Sequence, residues 1–288
     1  MGYSARYHAT SLMAVFLALA IGILIGAEFG GDTLSNTRKN LEHSLAGNLQ
    51  DARERADGLN QELGRANEFS SRVYPALVRD QLRGRRIGLL AFGDLPSDVY
   101  GAIGDALAPT GAHLVGVGVV REPVDTRGLA GDLAKTRFAK LARDGDTQTA
   151  LGVGLGRQLV RGGTLLEPVR GHLFSRASGN FGALDGVIIV RDQPQGMGPV
   201  QRTVAGRFES GMASGITGTH TPAVGVESSE VEPSSISFFA SNDLSSVDDV
   251  DLVAGQLATV FALLGAEGSF GVKSSADRLL PDLLAPHE

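Results

Sequence analysis

Apolar residues are distributed unevenly along the chain, and the longest uncharged run covers residues 9–27. A helix over this run would span about 28 Å, close to the ~30 Å hydrocarbon core of a bilayer. Arg6 precedes the run, whereas Glu28 and Asp32 follow it. The positive-inside rule therefore predicts a single-pass anchor in the cell membrane, with residues 1–8 in the cytoplasm and the rest of the chain outside.

A cleavable signal peptide is the alternative interpretation of this run. The apolar part of such a peptide lasts about 7–15 residues and ends in an Ala-x-Ala-like site. Here the run is longer, and the nearest such motif begins at Ala18, inside it. A cut after Ala27 would place the bulky Ile25 where a small residue is required. These features favour a retained anchor.

Small residues recur at every fourth position in and just after the run. This spacing places them on one helix face, where a second helix can approach closely. Ala and Gly are common in membrane helices in any case, so the pattern also fits an unpaired helix. The agreement of five positions favours helix pairing through Ala14, Ala18, Gly22, Gly26 and Gly30.

Residues 34–82 contain one proline, Pro75, and predict a long helix. Its apolar residues alternate in steps of four and three, which is the heptad pattern of a coiled coil. We call this face the seam, and it comprises Leu45, Leu49, Ala52, Ala56, Leu59, Leu63 and Ala66. The alternative is an amphipathic helix packed on its own domain. Because the membrane segment predicts the same partner, we favour a parallel homodimer with a coiled-coil stalk.

Residues 85–281 alternate between strand-like and helix-like segments. Apolar runs predict strands at 87–92, 114–120 and 185–190, with weaker candidates at 223–226 and 236–239. Amphipathic patterns predict helices at 97–107, 128–143, 147–160, 200–212 and 246–264. The alternation predicts an extracytoplasmic α/β domain with a mainly parallel, Rossmann- or flavodoxin-like sheet covered on both faces, followed by a tail of residues 282–288.

Composition limits the chemistry of the chain. There is no cysteine, which excludes disulfides, thiolate metal sites and cysteine nucleophiles. The net charge of −6 argues against a nucleic-acid partner. Six scattered histidines and four methionines form no cluster of the soft ligands that Cu(I) prefers, although a site assembled in three dimensions, such as His220 with Met212, stays open.

Two further patterns have structural explanations. The alternate glycines of 152–156 fall in a helix-like stretch, so they predict a loop or close packing and not a nucleotide-binding loop. Asp248, Asp249 and Asp251 are predicted to lie in the first turn of a helix, with Ser246 and Asp249 spaced as a cap. Since no active-site motif is visible, we expect a non-enzymatic protein without an evident cofactor.

Both ends of the chain resemble one known family. The N-terminal run carries identities as well as hydrophobicity, at His8, Ser11, Phe16 and Gly22. The segment 270–281 (FGVKSSADRLLP) joins an aromatic-Gly-x-Lys element to small residues and a Leu-Pro close. In these features, and in the order of anchor, coiled coil and α/β domain, the chain resembles the MctB family of mycobacterial copper transport proteins.

The resemblance implies two roles. Members of the MctB family are associated with copper homeostasis and described as outer-membrane channels, which implies copper as the exported ion. A related, SteB-like actinobacterial protein is associated with cell division, where it pairs with SteA and controls a peptidoglycan hydrolase. No copper ligand or catalytic residue of the family can be assigned to this sequence. One helix per chain cannot form a channel alone, so the residues favour an envelope scaffold over direct copper conduction.

Overall fold

The structure, a computed structural model, describes residues 5–282 of the chain. For residues 5–7, 28–40 and 42–43 it describes the backbone alone. The predicted N-terminal segment 1–8 and the predicted tail 282–288 therefore lie partly outside the described residues. The chain divides after Ala66 into two compact units.

The helix α1 (Ala5–Val78) begins in the first unit and ends in the second. The described part of the first unit is this helix up to Ala66, and its last turns belong to the second unit. This helix contains both the predicted membrane segment and most of the predicted stalk. Pro75 lies inside it. The helix ends at Val78, before the predicted end at residue 82, because residues 79–84 form turns that bring Leu82 into the core of the second unit.

The second unit is an α/β domain with seven strands. After α1 its elements are β1 (Arg86–Gly93), α2 (Ser97–Leu107), β2 (His113–Val120), α3 (Thr126–Asp132), α4 (Gly145–Arg161), α5 (Leu166–Leu173), β3 (Phe174–Gly179), β4 (Gly186–Asp192), α6 (Pro199–Thr217), β5 (Ala223–Val226), α7 (Ile236–Ser241), β6 (Ser245–Val247), α8 (Val253–Leu263) and β7 (Ser269–Phe270). The strand order is β3-β2-β1-β4-β5-β6-β7, and every neighbouring pair is parallel except β2 with β3. This confirms the predicted mainly parallel sheet.

Apolar side chains on both faces of the central strands explain the layered arrangement. Leu89 of β1 pairs with Ile188 of β4, and both face a core shared with α2, α8 and the end of α1. The next residues, Leu90 and Ile189, point to the opposite face and pack in a second core with α4 and α6. A strand that is apolar on both faces must be covered on both faces, which helices on either side achieve.

The end of α1 is built into the domain core. Val78 is fully buried, and the phenol of Tyr74 donates a hydrogen bond to the carbonyl oxygen of Ala106 at 2.6 Å. Burial, followed by the negative charge of Asp105, suppresses ionisation of this phenol and raises its pKa far above the ordinary value. The last turns of α1 are therefore an integral part of the α/β domain.

Glycines allow α4 and α6 to pack closely. Gly152 and Gly156 on α4 face Gly211 and Gly215 on α6. A Cβ added at Gly152 would lie only 2.8 Å from the carbonyl oxygen of Phe208, and one added at any of the other three would also collide with backbone of the facing helix. The glycines of 152–156 therefore lie in a helix, and the predicted close packing is confirmed.

The predicted strand at 236–239 is wrong, because these residues begin the helix α7. Ile236 and Phe239 are both buried and lie three positions apart, a spacing that a single helical turn places on one side. A four-residue apolar run fits either a short strand or a buried helical turn. Tertiary packing decides between them here.

The predicted helix at 246–264 is wrong in its first third. Residues 245–247 form the strand β6, and the helix α8 begins only at Val253. The amphipathic segment at 128–143 is likewise helical only up to Asp132 and continues in turns. The strands β3, β6 and β7 were not predicted, since they are short and carry polar residues.

The α4–α6 contact predicts the effect of adding one methyl group. Gly156→Ala places a Cβ against the carbonyl of Met212. This carbonyl belongs to the backbone of α6 and cannot move away unless α6 moves, so the substitution should lower the free energy of unfolding by about 1–3 kcal/mol. Gly104→Ala on α2 is the control, because its Cβ meets nothing within 4 Å and should stabilise by up to about 1 kcal/mol. Calorimetric melting of the full-length protein in detergent measures both, and equal melting temperatures would contradict the close packing.

Candidate functional site

The N-terminal part of α1 is the first candidate functional element. His8–Ala27 has a mean hydropathy of 2.4 and is long and apolar enough to cross a membrane. A Cβ added at Gly22 or Gly26 would meet nothing within 4 Å, so the face with the small residues is open in a single chain. Ala14 and Ala18 lie on the same helix, whereas Gly30 is described only through its backbone. Helix pairing through these residues stays a prediction.

The seam lies farther along the same helix. Because α1 is continuous, the steps of four and three place all seven seam residues along one side. Its four leucines are between 53% and 66% exposed in a single chain, and its three alanines are exposed as well. The structure thus shows an uncovered apolar stripe, and the coiled coil that would cover it stays a prediction.

The carboxyl edge of the sheet is the second candidate region. In parallel α/β sheets, ligands bind at this edge between two neighbouring strands whose following connections lead to opposite sides of the sheet. In this domain that point lies between β1 and β4. Asp94 follows β1, and its N–H donates to the carbonyl oxygen of Asp192, the last residue of β4, at 2.9 Å. Burial and the nearby Asp94 carboxylate raise the pKa of Asp192. Two carboxyl groups at this point disfavour a phosphate, so the edge does not suit a nucleotide.

Two glutamates are buried together near this edge. Glu122 follows β2, and neither of its buried carboxylate oxygens has a hydrogen-bond partner among the described residues. Glu209 on α6, in contrast, accepts from Arg191 Nε at 2.9 Å and from Gln193 Nε2 at 2.6 Å. Burial, and then the neighbouring Glu209, raise the pKa of Glu122 to about 9. Glu122 is therefore protonated at neutral pH.

Arg191 connects this glutamate pair to α7. Its guanidinium lies 4.6 Å from the centre of the Phe238 ring, a cation–π contact, and its carbonyl oxygen accepts from the hydroxyl of Ser235 at 3.3 Å. The helix α7, which was predicted as a strand, thus contacts the guanidinium of Arg191 through Phe238.

A partly buried lysine holds the C-terminal segment against the domain. Nζ of Lys273 donates to Oε1 of Glu227 at 2.7 Å and to the carbonyl oxygens of Ser228 and Val231 at 3.1 and 2.9 Å. All three ammonium donors are therefore used. Fully buried Asp248 accepts from the N–H of Val272 at 2.8 Å. The lysine of the FGVK element thus has a structural explanation.

The predicted helix cap around Asp249 is wrong. Asp248 and Asp249 lie in the turn after β6, before α8 begins, and no described side chain caps the N-terminus of α8. Asp251 accepts from both the N–H and the hydroxyl of Ser229 at 2.7 Å. The hydroxyl of Ser246, the other half of the predicted cap, donates to that of Ser269 at 3.1 Å. These side chains form hydrogen bonds with residues from distant parts of the chain instead. A prediction from local spacing does not take such contacts into account.

Asp249 is fully buried, and its carboxylate has no partner within the described part of the chain. Burial, followed by the charges of Asp248 and Asp251, raises its pKa to about 7. Sequence reasoning missed this feature, as it missed the Glu122–Glu209 pair. The available signal was an acidic residue at or just after the end of a buried strand.

Ligands for copper do not converge in the described residues. Among the side chains that the structure describes, no three of His, Asp or Glu form a group that could hold a metal ion. Met212 is fully buried in the core, whereas His220 is exposed after the end of α6, where it lines an open pocket of about 540 Å³ at the amino edge of the sheet. A thioether and an imidazole in such different surroundings do not resemble one copper site.

One known family matches this chain along nearly its whole length. A family model described as "Copper transport outer membrane protein, MctB" matches residues 3–281. Proteins named Copper transporter MctB from Mycobacterium tuberculosis (strain H37Rv) and Mycobacterium bovis are each 32% identical over 108 residues, 38% of this chain and 34% of the relative. The Mycobacterium leprae protein of that name is 28% identical over 123 residues, 42% of this chain and 39% of its own. The chain thus matches between a third and two-fifths of these relatives' length.

The family description and the apolar helix together indicate membrane anchoring. Which side of the membrane each end faces stays a prediction.

The ion pair between partly buried Lys273 and buried Glu227 predicts that Lys273 contributes strongly to stability. Lys273→Met leaves the Glu227 carboxylate buried without a counter-ion and should cost about 3–5 kcal/mol. Lys135→Met, at an exposed position, is the matched control and should stay within about 0.5 kcal/mol of the wild type. Denaturant unfolding of the purified protein compares the two, and a similar effect of both changes would show that the ion pair does not hold the C-terminal segment.

Burial of Glu122 predicts a pH-dependent stability. Its pKa is about 9 in the folded protein and near 4.5 in the unfolded chain, so the folded state retains a proton that the unfolded state releases. The free energy of unfolding should therefore fall as the pH rises from about 4.5 to about 9, by up to about 1.4 kcal/mol per pH unit.

Glu122→Gln keeps the shape of the side chain and removes this titration. The variant should be more stable than the wild type at pH 8 and should lose less stability between pH 5 and 8. Glu267→Gln, at an exposed position, should follow the wild type. Identical pH profiles for the Glu122 variant and the wild type would show that Glu122 is ionised in the folded state.

Proposed function

The chain belongs to the MctB family, and from that membership we propose a membrane-anchored, non-enzymatic protein of the cell envelope that supports copper efflux. The match of the family model to residues 3–281 carries the proposal. In this proposal residues 1–8 lie in the cytoplasm, residues 9–27 cross the cell membrane, and the α/β domain lies outside.

Copper is the transported ion in this account and is handled together with other envelope components. Cu(I) prefers thiolate and thioether ligands, but the chain has no cysteine, and Met212 is buried in the core. The carboxylates and imidazoles whose side chains are described form no metal-holding group either. These observations support a protein that organises a copper-handling assembly and does not itself coordinate copper.

A parallel homodimer is the form in which we propose that it acts. Complete burial of one leucine side chain contributes about 1.5–3 kcal/mol, so covering the four seam leucines supplies a substantial driving force. Anchoring holds both N-termini on the same membrane side, which favours parallel pairing. The open face at Gly22 and Gly26 suits close contact between the two membrane helices.

A SteB-like scaffold is the second candidate. In that role the chain would pair with a SteA-type protein and regulate a peptidoglycan hydrolase during cell separation. The exposed seam and the lack of a metal-holding group in the described residues favour it. Both candidates are non-enzymatic, and they differ in whether loss of the protein changes copper handling or cell separation.

Deletion of the gene in the source organism tests the proposed function. The deletion strain should be copper-sensitive and accumulate copper, as measured by elemental analysis, and the full-length chain should restore tolerance. The double variant Leu59→Glu with Leu63→Glu should restore less, whereas Arg53→Glu, outside the seam, should behave as the wild type.

A deletion strain with normal copper tolerance and unseparated cells would contradict the copper role and favour the scaffold in cell separation. The purified full-length protein should also lose Cu(I) readily to a competing chelator. Tight, stoichiometric retention of Cu(I) would contradict the absence of a copper site in this account.

A further inference from the structure

The strand β3 leaves one margin of the sheet open. Among the described strands it pairs only with β2. The N–H of Asn180 donates to the carbonyl oxygen of Val115 at 2.9 Å, which shows which residues of the two strands are hydrogen-bonded to each other. In an antiparallel ladder alternate residues face the partner strand, so Arg176 and Ser178 turn their backbone groups toward β2. The N–H and carbonyl of Ala177 point away from the sheet, and no described segment pairs with them.

The opposite margin is covered by the chain itself. There β7 has only two residues, and Phe270 forms a bridge with Arg278 of the C-terminal segment. The N–H of Gly271 also donates to the carbonyl oxygen of Arg278 at 3.1 Å. Open edges favour pairing with other chains and are commonly shielded, as this one is. The unshielded β3 edge is therefore a distinctive feature of the domain.

A groove runs beside the open edge. It has a volume of about 270 Å³ and lies between α2 and the strands β2 and β3, lined by Leu95, Ser97, Tyr100, Val117, Arg176 and Ser178. Its apolar part is accessible, since Tyr100 remains 45% exposed. An open strand edge next to an apolar groove is the arrangement used in β-augmentation, where an added strand pairs its backbone and inserts alternate side chains.

Positive charge marks the same edge. Arg176 is exposed and forms no ion pair within the described part of the chain. Arg121, directly after β2, is also exposed, and its guanidinium donates to the carbonyl oxygen of Phe174 at 3.3 Å. Two arginines without carboxylate partners complement an acidic segment, and a guanidinium can bind a carboxylate through two parallel hydrogen bonds.

We propose that the β3 edge and its groove bind an extended, acidic segment of a partner protein, which adds an eighth strand to the sheet. The backbone of this segment pairs with Ala177, an apolar side chain enters the groove at Leu95 and Tyr100, and a carboxylate two positions along binds Arg176. The inference rests on the proposed function in that an organising protein needs a partner.

A synthetic peptide, Ac-Thr-Leu-Thr-Glu-Thr-Leu-Thr-Glu-Thr-amide, provides the probe, because its leucines and glutamates share one face of an extended strand. It should bind the full-length protein in detergent saturably, with NMR shifts at the amides of Ala177 and Val117. Replacing its glutamates by lysines should weaken binding about tenfold or more, since each loses a charge-assisted contact. No binding of the glutamate peptide, or equal binding of both peptides, would overturn the proposal.

Two variants locate the site. Arg176→Glu should weaken binding about tenfold or more, whereas Arg202→Glu, exposed on α6, should leave it unchanged. Ala177→Pro removes only the outward N–H, a change that edge strands tolerate, and should also weaken binding.

Unchanged binding by both edge variants would overturn the proposal, as would dissociation of the full-length dimer by Arg176→Glu, which would assign the edge to a second copy. The test of the proposed function measures copper tolerance of the deletion strain and does not involve this peptide. Failure of binding therefore leaves the proposed function standing, and the two can fail separately.

Discussion

The apolar surface of α1 is the constraint on which the rest of the structure depends. A helix satisfies its own backbone hydrogen bonds, so lipid can cover the uncharged part at His8–Ala27 without further partners. The seam lies farther along the same helix, with charged residues around its leucines, and lipid cannot cover it. In water, only another protein surface can bury such a stripe. The α/β domain is built onto the last turns of this helix through Tyr74 and Val78.

The carboxyl edge of the sheet explains why a Rossmann-like arrangement does not imply nucleotide chemistry here. Asp94 and Asp192 stand where a phosphate would bind, and neighbouring buried charges are engaged in structural contacts such as Lys273 with Glu227. In our proposal, binding takes place at the margin of the sheet at β3 instead. We therefore propose that the domain contacts proteins and does not turn over a small molecule.

Sequence patterns predicted the elements whose own apolar residues show which of their faces is buried. The bounds of α2 and β5 agree residue for residue, because each follows an uninterrupted apolar or amphipathic pattern. The strand β3 was not predicted because its sequence, FSRASG, contains few apolar residues and no apolar run. The Glu122–Glu209 and Glu227–Lys273 pairs were also missed, since only tertiary packing brings these residues together. The family resemblance singled out Lys273 but could not identify its partner.

Disulfide crosslinking in membranes tests most directly whether a second copy covers the seam. The chain has no cysteine, so a single introduced cysteine reports on one position. With mild oxidation, Leu59→Cys in the seam should form a covalent dimer rapidly, whereas Gln61→Cys, on the far side of the predicted coiled coil, should not. Equal crosslinking at the two positions, or none at Leu59→Cys, would contradict a parallel dimer through this face.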